Sequence, residues 1–368
     1  MREFCIFVIL MFLICTISSA EDSKREQYIL GVYVLCDEPM TKQIQYSFGP
    51  NLKEYFDAFF NVINLIFQQL PSPDITFKVV SVDNALKLKD LSHKHRAAGL
   101  NSSWLQHINI TNGKLAYNQT TMQLSEYFKN AGEPYNNSQV IVLFSGATLV
   151  VQLVGHDYKD KKYVAVHENP KRGGICTGNK IVITQDNGLF AGVTSTARRL
   201  ARLLGANYDY RETPENCLYS SGMLMGDIEK KETQKENYRM SECTLRDLMT
   251  SLGNESKREC LPKNSKPQPQ KTPKKLPAHL FNPDKYCARE FNGELNIAEC
   301  TDKKWSLSGY PAAGMCQVRC CYGSIGSWRR NMFKMYTIGA LDGYRCHANG
   351  VPNGICVNGA CWHSDLAG

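Results

Sequence analysis

Three arginines stand close together in the stretch ARRLARLLGANYD, residues 197–209: Arg198, Arg199 and Arg202. Residues three and four apart share a helix face, so these side chains are expected on one side of a helix. A guanidinium stays protonated, offers only hydrogen-bond donors, and binds carboxylates and other anions. The cluster is therefore either an ordinary solvated face or the floor of a cleft, whose arginines pair with internal carboxylates or attract anions.

The helix that carries the arginines is predicted from about Leu189 to Leu204. Gly205 follows it and is placed to cap the C-terminus in the left-handed region. Apolar residues recur at helical spacing on the other side of this helix: Phe190, Val193, Ala197, Leu200, Ala201 and Leu204. This pattern predicts a helix packed on a core, with the arginines facing away from it.

Strand-like runs and one long helix must position that helix. The long helix is predicted at 51–70, where apolar residues keep helical spacing until Pro71. Runs rich in β-branched residues predict strands at 27–35, 74–82, 138–146, 161–168 and 179–186. A strand, a long helix and a second strand in succession imply a right-handed crossover and a parallel pair. The fold class is therefore α/β, and a three-layer sandwich is the simplest architecture.

Length and composition divide the chain into four parts. Residues 1–20 have the charge, apolar core and small residues of a cleavable secretory signal. Residues 21–262 hold five cysteines and enough apolar residues for a core. Residues 263–285 are rich in Pro and Lys, as an extended linker is. Residues 286–368 hold eight cysteines, and we expect this small domain to need its disulfides to stay folded.

The secretory signal predicts a released, extracellular protein in which disulfides persist. No later stretch offers about 18 consecutive apolar residues, so no transmembrane anchor is expected. Asn-x-Ser/Thr acceptors for N-linked sugar occur at Asn101, Asn109, Asn118, Asn136 and Asn254. Four of these five sequons fall within 101–136, which predicts a surface covered by sugar.

The formal charge of +8 is concentrated around the linker. Its basic run consists of Lys257, Arg258, Lys263, Lys266, Lys271, Lys274 and Lys275. In an extracellular protein such a run favours sulfated glycans or anionic surfaces over nucleic acid, and a solubilising linker is the simpler alternative. A candidate protein-contact patch combines basic and aromatic residues: Trp328, Arg329, Arg330, Phe333 and Lys334.

The arginine helix and the segment after it resemble a known protease motif. Set on Gly205, the stretch has the register of H-E-x-x-H-x-x-G-x-x-H followed by Asp209, the signature of metzincin proteases. CLYSSGMLMGD, from Cys217, resembles the Met-turn of reprolysins and places its methionine at Met225. The resemblance covers most of residues 27–261. The family is the reprolysin, or adamalysin, group, which includes ADAM and ADAMTS proteases and the secreted reprolysins of tick saliva.

This resemblance implies a metzincin-like three-layer sandwich with a twisted mixed sheet. Gly205, Asp209 and Met225 would be the retained parts of the motif. It also implies disulfides that join Cys176 to Cys260 and Cys217 to Cys243. Cys36 is then left over, and its place at the end of an apolar strand favours a buried free thiol.

The residues that perform the family's chemistry are replaced. The three zinc-ligand positions hold Arg198, Arg202 and Tyr208, and the general-base position holds Arg199. Zinc needs nitrogen, sulfur or carboxylate donors, which arginine cannot supply. We therefore expect no zinc, no cofactor and no catalytic residue. The alternative, an active zinc metalloendopeptidase, needs a ligand set that the sequence does not offer: at His167–Glu168 the second histidine is absent and Pro170 would break the helix.

The C-terminal segment resembles the cysteine-rich module of ADAMTS proteins, above all in LDGYRC and GICVNGAC. Its eight cysteines suit four disulfides whose connectivity the sequence leaves open: Cys287, Cys300, Cys316, Cys320, Cys321, Cys346, Cys356 and Cys361. In that family the module holds protein substrates, whereas a plain disulfide scaffold is the simpler alternative. The sequence thus predicts a secreted pseudoprotease that binds extracellular proteins, with host haemostatic or matrix proteins as the partners that the resemblance implies.

Overall fold

The computed structural model describes most of the two predicted domains. The described ranges are 26–85, 108, 110–130, 138–153, 162–165, 171–209, 217–218, 220, 222–226, 239–262, 275–291, 297–300, 316–324, 332–348, 351–357 and 359–363. The predicted signal at 1–20 lies outside them. No helix in this part of the chain has the length and apolarity that crossing a bilayer requires.

The first eight strands form two separate four-stranded sheets. They are β1 (Gln27–Cys36), β2 (Asp74–Asn84), β3 (Ile110–Thr111), β4 (Lys114–Ala116), β5 (Val140–Ser145), β6 (Thr148–Leu153), β7 (Lys162–Ala165) and β8 (Ile181–Gln185). The central sheet has the order β2-β1-β5-β8 and is parallel throughout, which confirms the predicted parallel pair. The second sheet, β3-β4-β6-β7, combines parallel and antiparallel pairs. Mixed pairing is therefore confined to this second sheet and absent from the central one.

Seven α-helices are described. They are α1 (Glu38–Ser47), α2 (Leu52–Phe67), α3 (Tyr117–Asn130), α4 (Val193–Leu204), α5 (Glu242–Gly253), α6 (Glu255–Cys260) and α7 (Pro283–Glu290). The helix predicted at 51–70 is α2, which Asn51 caps by accepting a hydrogen bond from the Glu54 N–H. The predicted arginine helix is α4, and the other five described helices were not predicted.

Helices cover both faces of the central sheet. On one face, α2 and α4 share a large apolar core with the strands, dense in aromatic rings such as Phe56 and Phe59 around Phe144. On the other face, Leu124 and Phe128 of α3 pack with residues of β1, β5 and β8. Because both faces are buried, the strands read as continuous apolar runs. The architecture is a mixed α/β fold.

The arginine helix begins later than the predicted Leu189. Phe190 has a φ of +65°, so the helix starts only at Val193. At its other end Gly205 has a φ of +125°, and its N–H bonds the carbonyls of Ala201 and Arg202, both at 3.0 Å. A Cβ at Gly205 would also lie 2.1 Å from the Ser251 Oγ. Glycine is therefore required at this cap on two grounds, the backbone angle and the close approach of Ser251.

The C-terminal part is built from small antiparallel sheets held by disulfides. Its strands are β9 (Ala298–Glu299), β10 (Gln317–Ser324), β11 (Met332–Gly339), β12 (Arg345–Ala348), β13 (Val351–Val357) and β14 (Ala360–His363). They form the sheets β11-β10-β9 and β12-β13-β14. Four disulfides join Cys287 to Cys320, Cys300 to Cys321, Cys316 to Cys356, and Cys346 to Cys361. With two in the first part, the described residues form six disulfide pairs.

Residues 275–285 differ from the extended linker expected at 263–285. Pro277–His279 form a 3-10 turn, and α7 crosses the expected boundary after residue 285. The Phe281 ring lies 6.0 Å from that of Phe48 and 6.1 Å from that of Phe190. Although this stretch is rich in Pro and Lys, its few apolar residues fold against the first part of the chain. Residues 263–274 lie outside the described ranges.

Candidate functional site

Helix α4 and the turn at 222–226 position the arginine cluster. Arg198 projects from α4 and is 9% exposed. Its Nη1 donates to the carbonyl of Gly226 and, at 3.4 Å, to that of Leu224. These carbonyls flank Met225, which is fully buried. The first zinc-ligand position of the resemblance thus holds a cation whose hydrogen bonds fix the turn that contains the methionine.

Tyr208 brings the other two ligand positions together. The Cζ of Arg198 lies 4.7 Å from the centre of the Tyr208 ring, and the Cζ of Arg202 lies 4.6 Å from it. The face of an aromatic ring attracts cations, and the shared ring offsets the repulsion between two guanidiniums one helical turn apart. Arg198, Arg202 and Tyr208 therefore converge, and they form an arginine–tyrosine cluster.

Arg199 points to the central sheet. Its Nη1 donates to the carbonyl of Ile183 in β8, at 2.7 Å. Burial, with the nearby charge of Arg198, lowers the pKa of Arg199, although an arginine still remains charged at physiological pH. The general-base position of the motif thus holds a hydrogen-bond donor, which bonds a backbone carbonyl of β8 at the edge of the central sheet.

Asp209 ties the end of the motif to helix α5. Its backbone N–H bonds the carbonyl of Met225 at 3.0 Å, and its Oδ1 accepts from the Ser241 Oγ at 2.7 Å. Ser241 also caps α5, since its Oγ accepts from the Thr244 N–H. Burial raises the pKa of Asp209 to about 6, against the opposing effects of Ser241 and Arg198. Asp209 is therefore part of the packed floor beneath the arginines.

The donor set does not fit a zinc ion. Arg198 and Arg202 present only N–H groups, and the Arg202 Nη1 is buried with no hydrogen-bond partner among the described residues. Tyr208 has one oxygen that could ligate, and Asp209 has one buried oxygen, Oδ2, with no such partner. Structural and catalytic zinc sites take three or four protein ligands. Two fixed cations at the centre would also repel the ion.

A second group of metal-type side chains lies in the C-terminal part. The sulfur atoms of Cys316, Cys346 and Cys356 lie within 4.8 Å of one another. All three are in disulfides, Cys316 with Cys356 and Cys346 with Cys361. A disulfide sulfur is not a thiolate, so these cysteines are a structural cluster.

The remaining predicted residues fall in several places. Cys176 pairs with Cys260 and Cys217 with Cys243, as the resemblance implies. Cys36 is free and buried, and burial raises the pKa of its thiol.

Asn118, at the start of α3, and Asn254, before α6, are exposed, whereas Asn101, Asn109 and Asn136 lie outside the described ranges. So do Trp328, Arg329 and Arg330 of the candidate contact patch. Phe333 and Lys334 fall on β11, where Lys334 is exposed.

Sequence reasoning missed the partners of the site. Ile183, Leu224 and Gly226 act through carbonyls, which side-chain motifs do not reveal. Ser241 could have been found, because a serine before the helical run ECTLRDL is a typical N-cap. Carbonyls accept from Arg198 and Arg199, and the Tyr208 ring lies against Arg198 and Arg202.

Comparison with known proteins gives one informative similarity. Over 207 residues the chain is 26% identical to a Bombyx mori protein described as "A disintegrin and metalloproteinase with thrombospondin motifs like". The match covers 51% of this chain and 26% of that protein, so the chain spans about a quarter of its relative. The similarity suggests a metalloproteinase-related family. No family model matches the chain.

Among solved structures, one described as a chaperone-substrate complex is similar with a TM-score of 0.33 and 10% identity. That match covers 62% of this chain and 35% of the other.

Proposed function

We propose that the protein is a secreted, catalytically inactive reprolysin-like pseudoprotease that acts by binding extracellular proteins. The observation that carries this proposal is the arginine–tyrosine cluster. Arg198 and Arg202 both face the ring of Tyr208, at the three positions where a reprolysin would hold its zinc. In this proposal, permanent cations occupy the place that the zinc ion has in a reprolysin.

The position of Arg199 supports loss of activity independently of zinc. Peptide hydrolysis in this family needs a base that takes a proton from water. Arg199 has no lone pair to accept it, and its Nη1 is bonded to the Ile183 carbonyl. Even a metal held by other groups would lack this base.

Several features support an extracellular binding role. Six disulfides are typical of proteins that work outside the cell, and no described helix could span a membrane. The C-terminal part, which resembles a substrate-holding module, packs on the first through Phe281. The resemblance to salivary reprolysins favours host haemostatic or matrix proteins as partners.

Metal content and cleavage test this proposal together. The purified secreted protein is analysed for zinc by elemental mass spectrometry and for cleavage of a peptide library. We expect no bound zinc and no cleavage. About one zinc per chain with chelator-sensitive cleavage would establish the active metalloendopeptidase instead.

A restored variant tests whether the positions were identified correctly. It carries Arg198→His, Arg199→Glu, Arg202→His and Tyr208→His, and the control carries alanine at the same four positions. We expect the restored variant to bind about one zinc and the alanine variant none. If the restored variant and the alanine variant both fold and contain equal amounts of zinc, the three ligand positions do not converge as a zinc site.

A further inference from the structure

Two cavities flank the disulfide between Cys176 and Cys260, beyond the C-terminal end of α4. The first has a volume of about 340 Å³. Its lining includes Arg172, Asp247, Thr250, Ser251 and Lys257. The second has a volume of about 330 Å³. Both volumes lie at the lower end of the range of small-ligand sites, roughly 300–1,000 Å³.

The second cavity contains the disulfide itself and two lysines. Its polar lining includes Lys129, Ser138, Gln139, Thr177 and Lys180. The cavities adjoin, because Cys176 Sγ lies 3.8 Å from the carbonyl oxygen of Lys257, which lines the first. We call the two adjoining cavities together the groove; Arg172 and Lys257 line the first cavity, and Lys129 and Lys180 line the second.

Positive charge dominates this groove. Arg172 and Lys257 on one side and Lys129 and Lys180 on the other face a single lining carboxylate, Asp247. Asp247 is already bonded, since its Oδ2 accepts from the Asn207 N–H at 2.9 Å and lies 3.4 Å from the Arg172 Nη2. Among the described residues that line the two cavities, four are therefore cationic and one is a carboxylate.

Two of these cations, Lys180 and Lys257, are partly buried. Burial lowers the pKa of Lys180, and burial together with the charge of Arg172 lowers the pKa of Lys257. Internal hydrogen bonds hold both ammonium groups in place, Lys180 on the Ser138 carbonyl at 2.7 Å and Lys257 on the Ser251 Oγ. A bound anion would stabilise both charged forms.

We propose that this groove binds a linear sulfated glycan. Its sulfates would lie at the pair of Arg172 and Lys257 and at the pair of Lys129 and Lys180. The described lining of this groove includes none of the residues of the arginine–tyrosine cluster, so the glycan proposal does not depend on the loss of the zinc site.

Heparin is the probe, and its affinity is measured over about 50–200 mM salt. The groove variant carries Lys129→Glu and Arg172→Glu. The matched control carries Lys42→Glu and Lys53→Glu, which reverse two exposed lysines of α1 and α2 and change the net charge equally. We expect the groove variant to bind about tenfold more weakly with a shallower salt dependence, and the control to change within about twofold.

Arg172 also bonds the Gly205 carbonyl, at 2.7 Å. The single variant Lys129→Glu therefore provides a second test, because Lys129 is exposed on α3. It should weaken heparin binding about threefold with an unchanged thermal transition.

Three outcomes would overturn the proposal. The first is that the groove variants bind heparin as tightly as the control does. The second is that binding disappears only when Lys263, Lys266, Lys271 and Lys274 are replaced by glutamine, which would assign it to the basic run. The third is that poly-glutamate competes as well as heparin of equal charge, which would point to an acidic protein. The zinc-restored variant should bind heparin like the wild type, so failure here is distinguishable from failure of the pseudoprotease proposal.

Discussion

Replacing Arg198 by methionine tests the arginine–tyrosine cluster most directly. Methionine keeps most of the aliphatic stem and removes only the charged head. The substitution deletes the bonds to Leu224 and Gly226 and leaves their carbonyls without this donor. It also deletes one cation–π contact with Tyr208.

The expected loss of stability follows from these contacts. Hydrogen bonds to a charged group contribute about 1.5–3 kcal/mol, and a partly buried cation–π contact about 0.5–2 kcal/mol. Relief of the repulsion between Arg198 and Arg199 offsets part of this loss. The free energy of unfolding should therefore fall by about 2–4 kcal/mol.

Urea unfolding at pH 7 with the disulfides intact measures this change. Arg246→Met is the control, because Arg246 is exposed on α5, and it should change stability by less than about 0.5 kcal/mol. The double variant with Tyr208→Leu should lose less than the sum of the two single variants, since both remove the same contact. If Arg198→Met is as stable as the control, the guanidinium does not hold the turn and the reasoning about the site fails.

Three further predictions concern other parts of the fold. The pKa of Asp209, about 6 when folded against about 3.9 when unfolded, means that its contribution to stability grows as the pH falls from about 6 to about 4 and is lost as the pH rises. Asp209→Asn, which keeps an acceptor for Ser241, should remove this pH dependence and stabilise the protein at pH 7. Urea unfolding at about pH 4 and about pH 6 measures the free energy of unfolding of the variant and the wild type. An equal change with pH in the two proteins would contradict this prediction. Phe281→Ala should cost about 3–5 kcal/mol, whereas the exposed Met122→Ala should be nearly neutral in the same assay; equal stability would mean that residues 275–285 do not pack on the first part. Cys36 should react with a thiol reagent only after unfolding, and labelling of the native protein within minutes would show that its thiol is accessible.

The sequence predicted the elements whose pattern is strong. Strand β5 reads VIVLFS because the sheet is covered on both faces, and α2 keeps helical spacing over its whole length. Helix α1 was missed because its apolar pattern is weak, although Asp37 and Pro39 are typical of a helix start. Asp37 does accept a hydrogen bond from the Met40 N–H at 2.8 Å. Capping residues would thus have found a helix that periodicity could not.

The register of the motif singled out Arg198, Arg202 and Tyr208 in the sequence. The predicted cap at Gly205 is present, and its φ of +125° ends α4 just before Tyr208. That the ring of Tyr208 lies against both guanidiniums depends on side-chain conformations, which the sequence does not encode locally. The same limit applies to Phe281, whose neighbours Phe48 and Phe190 are distant in the sequence.

The chain uses its basic residues in two different ways, and the difference follows from their surroundings. On α4, Arg198 and Arg199 donate to backbone carbonyls, and Arg198 and Arg202 face the ring of Tyr208, so internal groups hold these three side chains in place. Around the Cys176–Cys260 disulfide, lysines and Arg172 line open cavities with one carboxylate among them. The arginines of the motif therefore stabilise the fold, whereas the proposed anion site uses Lys257 of the basic run together with Arg172, Lys129 and Lys180, which the sequence analysis did not single out.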